Sequence, residues 1–314
     1  MRVTTSLLLF FISLARKAQQ EVRAICVSID DLPANSIDPS DERFSYITSH
    51  LLETFDKYKV PAIGFVNEGK LYPQGQRSVQ RESLLGHWHD RGFELGNHTY
   101  SHIDINNTSL DQYQKDIVKG GQITDSLYHD SPRRVKYFRH PFLHCGNSDE
   151  KRTGLTALLQ KLHYVEAPVT IDNSEWIFAR AYDIALQKKD IETSRRIGND
   201  YVTYMMQKVK YFESQSRALF KRNISHILLI HANTLNADWL GNLLQALGTY
   251  GYQFVSMGKA LEDNAYATEN RFVGNAGISW LHRWAITQRK PREFFAGEPT
   301  TPKYILEYSG IESE

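Results

Sequence analysis

The sequence has little cysteine, since Cys26 and Cys145 are the only two in 314 residues. Two cysteines at this separation make neither a disulfide framework nor a CxxC metal site. Stability must therefore come from a hydrophobic core, and Cys145 is interpreted as a structural residue. With 41% hydrophobic residues, the chain has enough apolar material for one large domain or two small ones.

An excess of charge is also lacking, because 37 Lys and Arg nearly balance 36 Asp and Glu. No basic stripe is interleaved with aromatic residues, which argues against nucleic acid as a partner. Internal repeats and low-complexity tracts are absent as well. The oligomeric state is not readable from the sequence.

Long hydrophobic runs are missing too. The N-terminal apolar block, Ser6 to Ala15, is far shorter than the roughly 20 residues needed to cross a bilayer, so no stable membrane span is expected. With an early Arg before it and small and polar residues after it, this block predicts a signal peptide over residues 1–20 and an exported, periplasmic or extracellular protein. The alternative is an apolar N-terminal extension on a cytoplasmic protein.

What the sequence does contain is an alternation of short β-rich apolar runs and longer stretches of helical periodicity. This alternation predicts βα units, a parallel sheet and an α/β barrel. The predicted strands are residues 24–29, 62–66, 93–96, 135–138, 226–230 and 252–256. The clearest predicted helices are residues 43–59, 109–129 and 237–251.

Two segments interrupt this alternation. Residues 177–225 are charge-rich and mostly helical in pattern, which predicts an insertion packed on the barrel. Residues 262–314 contain Pro, Gly and aromatics without clear periodicity, which predicts an irregular C-terminal extension. The domain layout is thus a catalytic domain over residues 21–261, including the insertion, followed by the extension.

Polar residues follow four of the predicted strands, at the face where βα barrels build their sites. His98 and His102 are four residues apart, so in a helical turn both imidazoles would lie on one face and could hold one cation. Asp31 could complete a set of two histidines and one carboxylate with open positions for water and substrate. The alternative is two surface histidines with ordinary hydrogen bonds.

The adjacent carboxylates then have distinct uses. If Asp31 binds the metal, the cation offsets the repulsion between the two aspartates, and Asp30 is free to take a proton from metal-bound water. Otherwise the pair is a helix N-cap or a turn before Pro33. His231 ends a strand and could protonate a leaving amine, or be structural.

Two further residues have both a functional and a structural interpretation. Arg139 could hold the base carboxylate through a bidentate pair, or be a surface arginine. Trp176 could form the wall of a sugar-binding groove, or pack beneath the insertion.

Taken in order, five motifs resemble those of the polysaccharide deacetylases of carbohydrate esterase family four. "SIDDLP" resembles the first motif and implies Asp30 as base and Asp31 as metal ligand. "HTYSH" resembles the second, and "RHPF" the third. The second implies His98 and His102 as the other ligands. The third implies that Arg139 orients Asp30 and that the backbone N–H near Phe142 binds the oxyanion.

The last two motifs complete the resemblance. "DNSEW" resembles the fourth, with Asp172 as a catalytic-site residue, Trp176 at the substrate, and Glu175 where an aspartate is commoner. "LLIH" resembles the fifth and implies His231 as general acid. The resemblance covers residues 23 to 261 and departs from the family at Leu32 and Pro33, in the long insertion and in the C-terminal extension.

The resemblance implies a distorted (β/α) barrel and a hydrolase that removes N-acetyl groups from a glycan containing N-acetylglucosamine. It implies one divalent metal ion as cofactor, with zinc expected. Two alternatives remain: a metal-dependent amidase or imidase acting on a small cyclic amide, and an inactive homologue that binds carbohydrate. Which acetylated glycan is the partner is not readable from the sequence.

Overall fold

A computed structural model of the chain describes residues 23–130 and 134–314. The predicted signal peptide, residues 1–20, lies outside these ranges. Within the described residues, no helix combines the length and the apolar character that crossing a membrane requires.

The core of the fold is one parallel sheet. Its strands are β1 (Arg23–Leu32), β2 (Ile63–Val66), β3 (Glu94–Asn97), β4 (Lys136–Phe138), β5 (Tyr164–Glu166), β6 (His226–His231) and β7 (Tyr252–Phe254). The order is β5-β4-β3-β2-β1-β6, with β7 pairing the start of β1. All predicted strands are present, and β5 is the strand that the sequence pattern did not reveal.

The sheet curls into a half-barrel. Beyond β5, the backbone N–H groups of Thr170 and Ile171 both donate to the carbonyl of Ile227 in β6 at 3.0 Å. This contact brings the two ends of the sheet together, because β5 and β6 are otherwise its opposite edges. The polar residues after the strands therefore face a common mouth.

Strand β1 is buried on both faces, as expected for a parallel strand covered by helices. Ile25, Val27 and Ile29 belong to the large hydrophobic cluster beneath the helices. Cys26 points the other way, into a smaller cluster with Ile63. Because side chains on both faces of β1 are buried, the strand appears in the sequence as a continuous apolar run.

Helices surround the sheet. They are α1 (Asp41–Tyr58), α2 (Val79–Asp90), α3 (Leu110–Lys119), α4 (Gln122–Leu127), α5 (Asp149–Lys161), α6 (Glu175–Gln187), α7 (Ile191–Phe220), α8 (Thr234–Thr249), α9 (Met257–Leu261), α10 (Trp280–Thr287) and α11 (Lys303–Ser309). The stretch 177–225 contains most of α6 and all of α7. Side-chain caps start several helices, for example Ser40 at α1 and Asn233 at α8.

The prediction of a single helix over residues 109–129 is wrong, because the helix is interrupted between α3 and α4. At Gly120 an added Cβ would lie 2.4 Å from the backbone N of Tyr100. The glycine lets this turn approach the loop after β3, and the N–H of Tyr100 donates to the carbonyl of Asp116 at 3.2 Å. The break thus supports the loop that carries His98 and His102.

The C-terminal residues 262–314 are less irregular than predicted, since they contain α10 and α11. Trp284 of α10 is buried, and its ring lies 5.6 Å from that of Phe220 in α7. The N–H of Trp280 donates to the carbonyl of Val169 at 2.8 Å, next to the closing edge of the sheet. Short helices of this kind escape sequence prediction because tertiary packing, rather than periodicity, holds them.

Candidate active site

A cleft of about 540 Å³ opens at the carboxyl ends of the strands. It brings together side chains from all five motifs of the sequence. The lining includes Asp30, Asp31, His98, His102, Phe142, Asp172, Trp176 and His231. Arg139 lies beneath the cleft, fully buried.

Asp30 and Asp31 lie near the end of β1, just before Leu32, and both are buried. Asp30 is in register with His231 on the neighbouring strand β6, which brings these two residues to the same edge of the cleft. Asp31 adopts a left-handed conformation with φ of 72°, which turns the chain sharply after Asp30. The two carboxylates therefore have different surroundings although they are adjacent in sequence.

His98 and His102 converge on Asp31. The Nε2 atom of His98 lies 3.9 Å from Oδ1 of Asp31, and that of His102 lies 3.7 Å from the same oxygen. The predicted helical turn is wrong: the two histidines lie in an irregular loop in which His102 has a φ of 55°. Loop geometry, rather than helical periodicity, brings the rings together.

The three side chains suit a divalent metal. The Nδ1 atom of His98 lies 2.9 Å from the carbonyl of Arg139, which favours a proton on Nδ1 and leaves the Nε2 lone pair facing both Asp30 and Asp31. One donor atom from each of Asp31, His98 and His102 lies within 4.8 Å of the others. Two imidazoles and a carboxylate are ligands typical of zinc, and the cleft leaves room for further ligands.

The electrostatics of the two aspartates differ. Burial raises the pKa of Asp30 to about 6, although Arg139 and His231 lower it. Burial also acts to raise the pKa of Asp31, but Lys70 and the nearby histidines lower it well below its usual range. Asp31 is therefore the stronger anion, and Asp30 is the carboxylate able to exchange a proton near neutral pH.

Arg139 contacts Asp30 less directly than predicted. Its Nη1 lies 3.8 Å from Oδ2 of Asp30, whereas its Nη2 donates to Oγ of Ser28 at 2.8 Å. The predicted bidentate pair is therefore replaced by one longer electrostatic contact. Burial lowers the pKa of Arg139, and the charge of Asp30 opposes that effect.

His231 is held by Glu175, the first residue of α6. The Nδ1 atom of His231 lies 2.8 Å from Oε2 of Glu175, whose other oxygen accepts hydrogen bonds from the side chains of Asn233 and Asn236. Burial lowers the pKa of His231, but Glu175 raises it, to about 9. At neutral pH His231 thus carries a proton that it can donate.

Asp172, predicted as the acidic site residue of the fourth motif, lines the cleft but makes no hydrogen bond to His231. Burial raises its pKa to about 6. The hydrogen-bond partner of His231 is instead Glu175, three residues along the chain. The sequence signal for Glu175 was its position in the motif "DNSEW".

Phe142 and Trp176 are the exposed aromatic residues at the cleft, with 52% and 42% of their surface exposed. The Phe142 ring lies 4.4 Å from that of His102. Phe142 itself has a φ of 56°, so its loop turns back on itself at the mouth. Both rings could contact a sugar.

Lys70 is a further charged residue at this site, and no sequence motif indicated it. It follows β2, and its Nζ donates to the carbonyl of Asp31 at 3.0 Å and lies 3.5 Å from Oδ1 of Asp31. Burial lowers the pKa of Lys70, against the effect of Asp31. Its location after a strand, in "VNEGK", is the signal that could have found it.

A curled parallel sheet with carboxylates and imidazoles gathered at its strand ends is an α/β barrel with its site at the carboxyl-terminal face. Residues 17–158 match the family model described as polysaccharide deacetylase. The resemblance to this family that the sequence predicts is thereby confirmed. The match ends before His231, which lines the same cleft, and before Glu175, which contacts His231.

Similar solved structures have the same fold. A CE4 family pseudoenzyme from Bacillus anthracis has a TM-score of 0.50 at 16% identity, covering 76% of this chain and 66% of that chain. A mutant of that pseudoenzyme with restored enzymatic activity has a TM-score of 0.51 at 18% identity, covering 76% and 68%. The chitin deacetylase of the fungal pathogen Colletotrichum lindemuthianum has a TM-score of 0.50 at 19% identity, covering 78% and 89%. No curated protein matches the chain in sequence.

Proposed function

We propose that this protein is a metal-dependent deacetylase that removes the N-acetyl group from N-acetylglucosamine units of a polysaccharide or oligosaccharide. One observation carries the proposal: a base, an acid and three metal-ligand side chains line one cleft. Asp30 is the base, His231 the acid, and Asp31, His98 and His102 the ligands. Amide hydrolysis needs all of these roles within reach of one carbonyl.

A divalent metal held by Asp31, His98 and His102 would polarise the acetyl carbonyl and lower the pKa of a water molecule. Asp30 takes a proton from the attacking water. Its pKa near 6, raised by burial, suits that transfer at neutral pH. Arg139 lies 3.8 Å away and favours the ionised form of Asp30 that can accept the proton.

His231 completes the reaction at the nitrogen. As the carbon–nitrogen bond breaks, its protonated imidazole donates a proton to the leaving amine, yielding acetate and a glucosamine unit. Glu175 keeps His231 charged until that step. The two aromatic rings, Phe142 and Trp176, are suited to contact the faces of sugar rings on either side of the acetamido group.

An acetate-release assay on defined N-acetylglucosamine oligosaccharides tests the proposal. The protein is first stripped of metal and then reconstituted with zinc. Acetate should appear only with the reconstituted protein, and a His98→Ala variant should lose both the metal of the active site and acetate release. Zinc-loaded, folded protein that releases no acetate from any of these substrates would overturn the proposal.

The same samples distinguish the alternatives. Ring opening of a cyclic imide without acetate release would indicate the amidase reaction. Oligosaccharide binding by calorimetry without any acetate would indicate a carbohydrate-binding homologue. The convergence of Asp30 and His231 at the cleft favours an active enzyme, because a binding protein needs neither residue.

A further inference from the structure

A second group of ligand-type side chains lies behind the loop that carries Phe142. It consists of His140, Cys145 and Glu166, and one donor atom from each lies within 4.8 Å of the others. These residues line a small cleft of about 100 Å³ that is separate from the active-site cleft. Its other lining residues come from α5 and from Asn270.

One separation between donor atoms in this cluster is that of a tetrahedral site, and another is shorter because the two side chains are hydrogen-bonded. The Nε2 atom of His140 lies 2.7 Å from Oε1 of Glu166, and Sγ of Cys145 lies 3.9 Å from the same oxygen. Ligands bound to zinc at about 2.0 Å for nitrogen and oxygen and about 2.3 Å for sulfur are roughly 3 to 4 Å apart. A small outward shift of His140 from Glu166 would make room for the ion.

The cluster combines a buried imidazole with a reachable thiol. His140 is 1% exposed, and its Nε2 atom is hydrogen-bonded to Glu166 at 2.7 Å. A divalent ion bound to Nε2 and Glu166 would take the place of that hydrogen bond. Cys145 is only partly buried, so the cluster can be reached from solvent.

Arg283 of α10 is placed to stabilise a negative charge on the sulfur of Cys145. It is fully buried, and its Nη1 donates to Sγ of Cys145 at 2.9 Å. A thiol that binds a metal is deprotonated, and an outer guanidinium donor stabilises the resulting thiolate. The Cys145 thiolate and the Glu166 carboxylate together balance the charge of a divalent ion.

We propose that His140, Cys145 and Glu166 bind a second divalent metal ion, of the zinc type, which is structural and distinct from any metal in the active site. An imidazole, a thiolate and a carboxylate are the mixed ligand set that zinc accepts, and the adjacent cleft provides space for a fourth ligand. The proposal is independent of the deacetylase reaction.

The proposed ion would stabilise the loop at the mouth of the active site. Arg283 donates to the carbonyl of Leu143 as well as to Cys145, so one side chain links the cluster to the loop. Leu143 and its neighbour Phe142 both line the catalytic cleft. Metal binding at the cluster would therefore hold these residues in position.

Cobalt(II) substitution tests this proposal, because cobalt bound to a thiolate gives a near-ultraviolet charge-transfer band that cobalt bound only to nitrogen and oxygen does not give. The full chain is stripped of metal and titrated with cobalt(II), and bound metal is counted by elemental analysis. Wild-type protein should bind two equivalents and show the band. Cys145→Ser should bind one equivalent and lose the band.

Two controls separate the two sites. His98→Ala should bind one equivalent and keep the band, whereas Cys26→Ala, which removes the other cysteine, should keep both equivalents and the band. A Glu166→Gln variant should weaken binding at the band-forming site about tenfold or more. Folded wild-type protein without the band, or a band that survives Cys145→Ser, would overturn the proposal whatever the deacetylase assay shows.

Discussion

The Nδ1 atom of His231 lies 2.8 Å from Oε2 of Glu175, a carboxylate with no exposure to solvent. Glu175 begins α6, and His231 ends β6, so an edge of the cleft depends on how that helix packs against the sheet. This pair decides the protonation state of the proposed acid, because burial alone would favour the neutral imidazole.

Replacing Glu175 with Gln should therefore lower the pKa of His231. As general acid, His231 must be protonated, so activity is lost as pH rises through its pKa. The alkaline limb of kcat/KM should move to lower pH by about one to two units. The exposed Glu192→Gln in the first turn of α7 is the matched control and should leave the profile unchanged. An unmoved alkaline limb in Glu175→Gln would refute the assignment of His231.

Asp30→Asn should separate metal binding from proton transfer. The substitution keeps the size of the side chain and leaves Asp31, His98 and His102 in place, so metal content should stay at the wild-type level. The loss of the base should lower kcat by about 100-fold or more. Elemental analysis and acetate release on the same preparation check both parts, and wild-type turnover would exclude Asp30 as the base.

Gly277 of the C-terminal extension packs against the mouth of the cleft. An added Cβ would lie 1.8 Å from the carbonyl oxygen of Phe142, so Gly277→Ala must displace the loop that carries this residue. We expect lower kcat/KM and a loss of about 1 to 3 kcal/mol in the free energy of unfolding.

Gly248→Ala in α8 is the control for this substitution, because nothing lies within 4 Å of its added Cβ. It should leave activity unchanged and add up to about 1 kcal/mol of stability, as expected for alanine in a helix. Denaturant titration and steady-state kinetics check both variants. Equal kinetics in the two would show that the extension does not position Phe142.

His226 predicts a pH-dependent loss of stability away from the site. It is fully buried, with hydrogen bonds to Thr170 and Asn223, and burial lowers its pKa to about 3. The unfolded chain takes up this proton near pH 6.5, whereas the folded chain does so only near pH 3. Between these values the unfolded state binds more protons, so the free energy of unfolding should fall as pH falls.

Denaturant titrations across this pH range check the prediction. His226→Gln should show a shallower fall in stability with pH than wild type, although it is less stable at neutral pH. His129→Gln, on an exposed side chain, should have the wild-type slope. Identical slopes in all three proteins would mean that His226 does not carry the effect.

The sequence by itself determined six of the seven described strands and the order of the motifs. Buried parallel strands read as continuous apolar runs, and βα units place the residues after them at one face, so Asp30, Asp31 and His231 could be brought together by reasoning alone. The location of His98 and His102 at the same face follows from the same rule.

Only the tertiary structure decided which side chain contacts which. Glu175 rather than Asp172 holds His231, and Lys70 lies beside Asp31, because these distances depend on how helices and loops pack against the sheet. The loop conformation of His102 and the packing of Gly277 against Phe142 have the same origin. Local sequence patterns report strands and helices, whereas contacts between distant segments depend on the closure of the barrel.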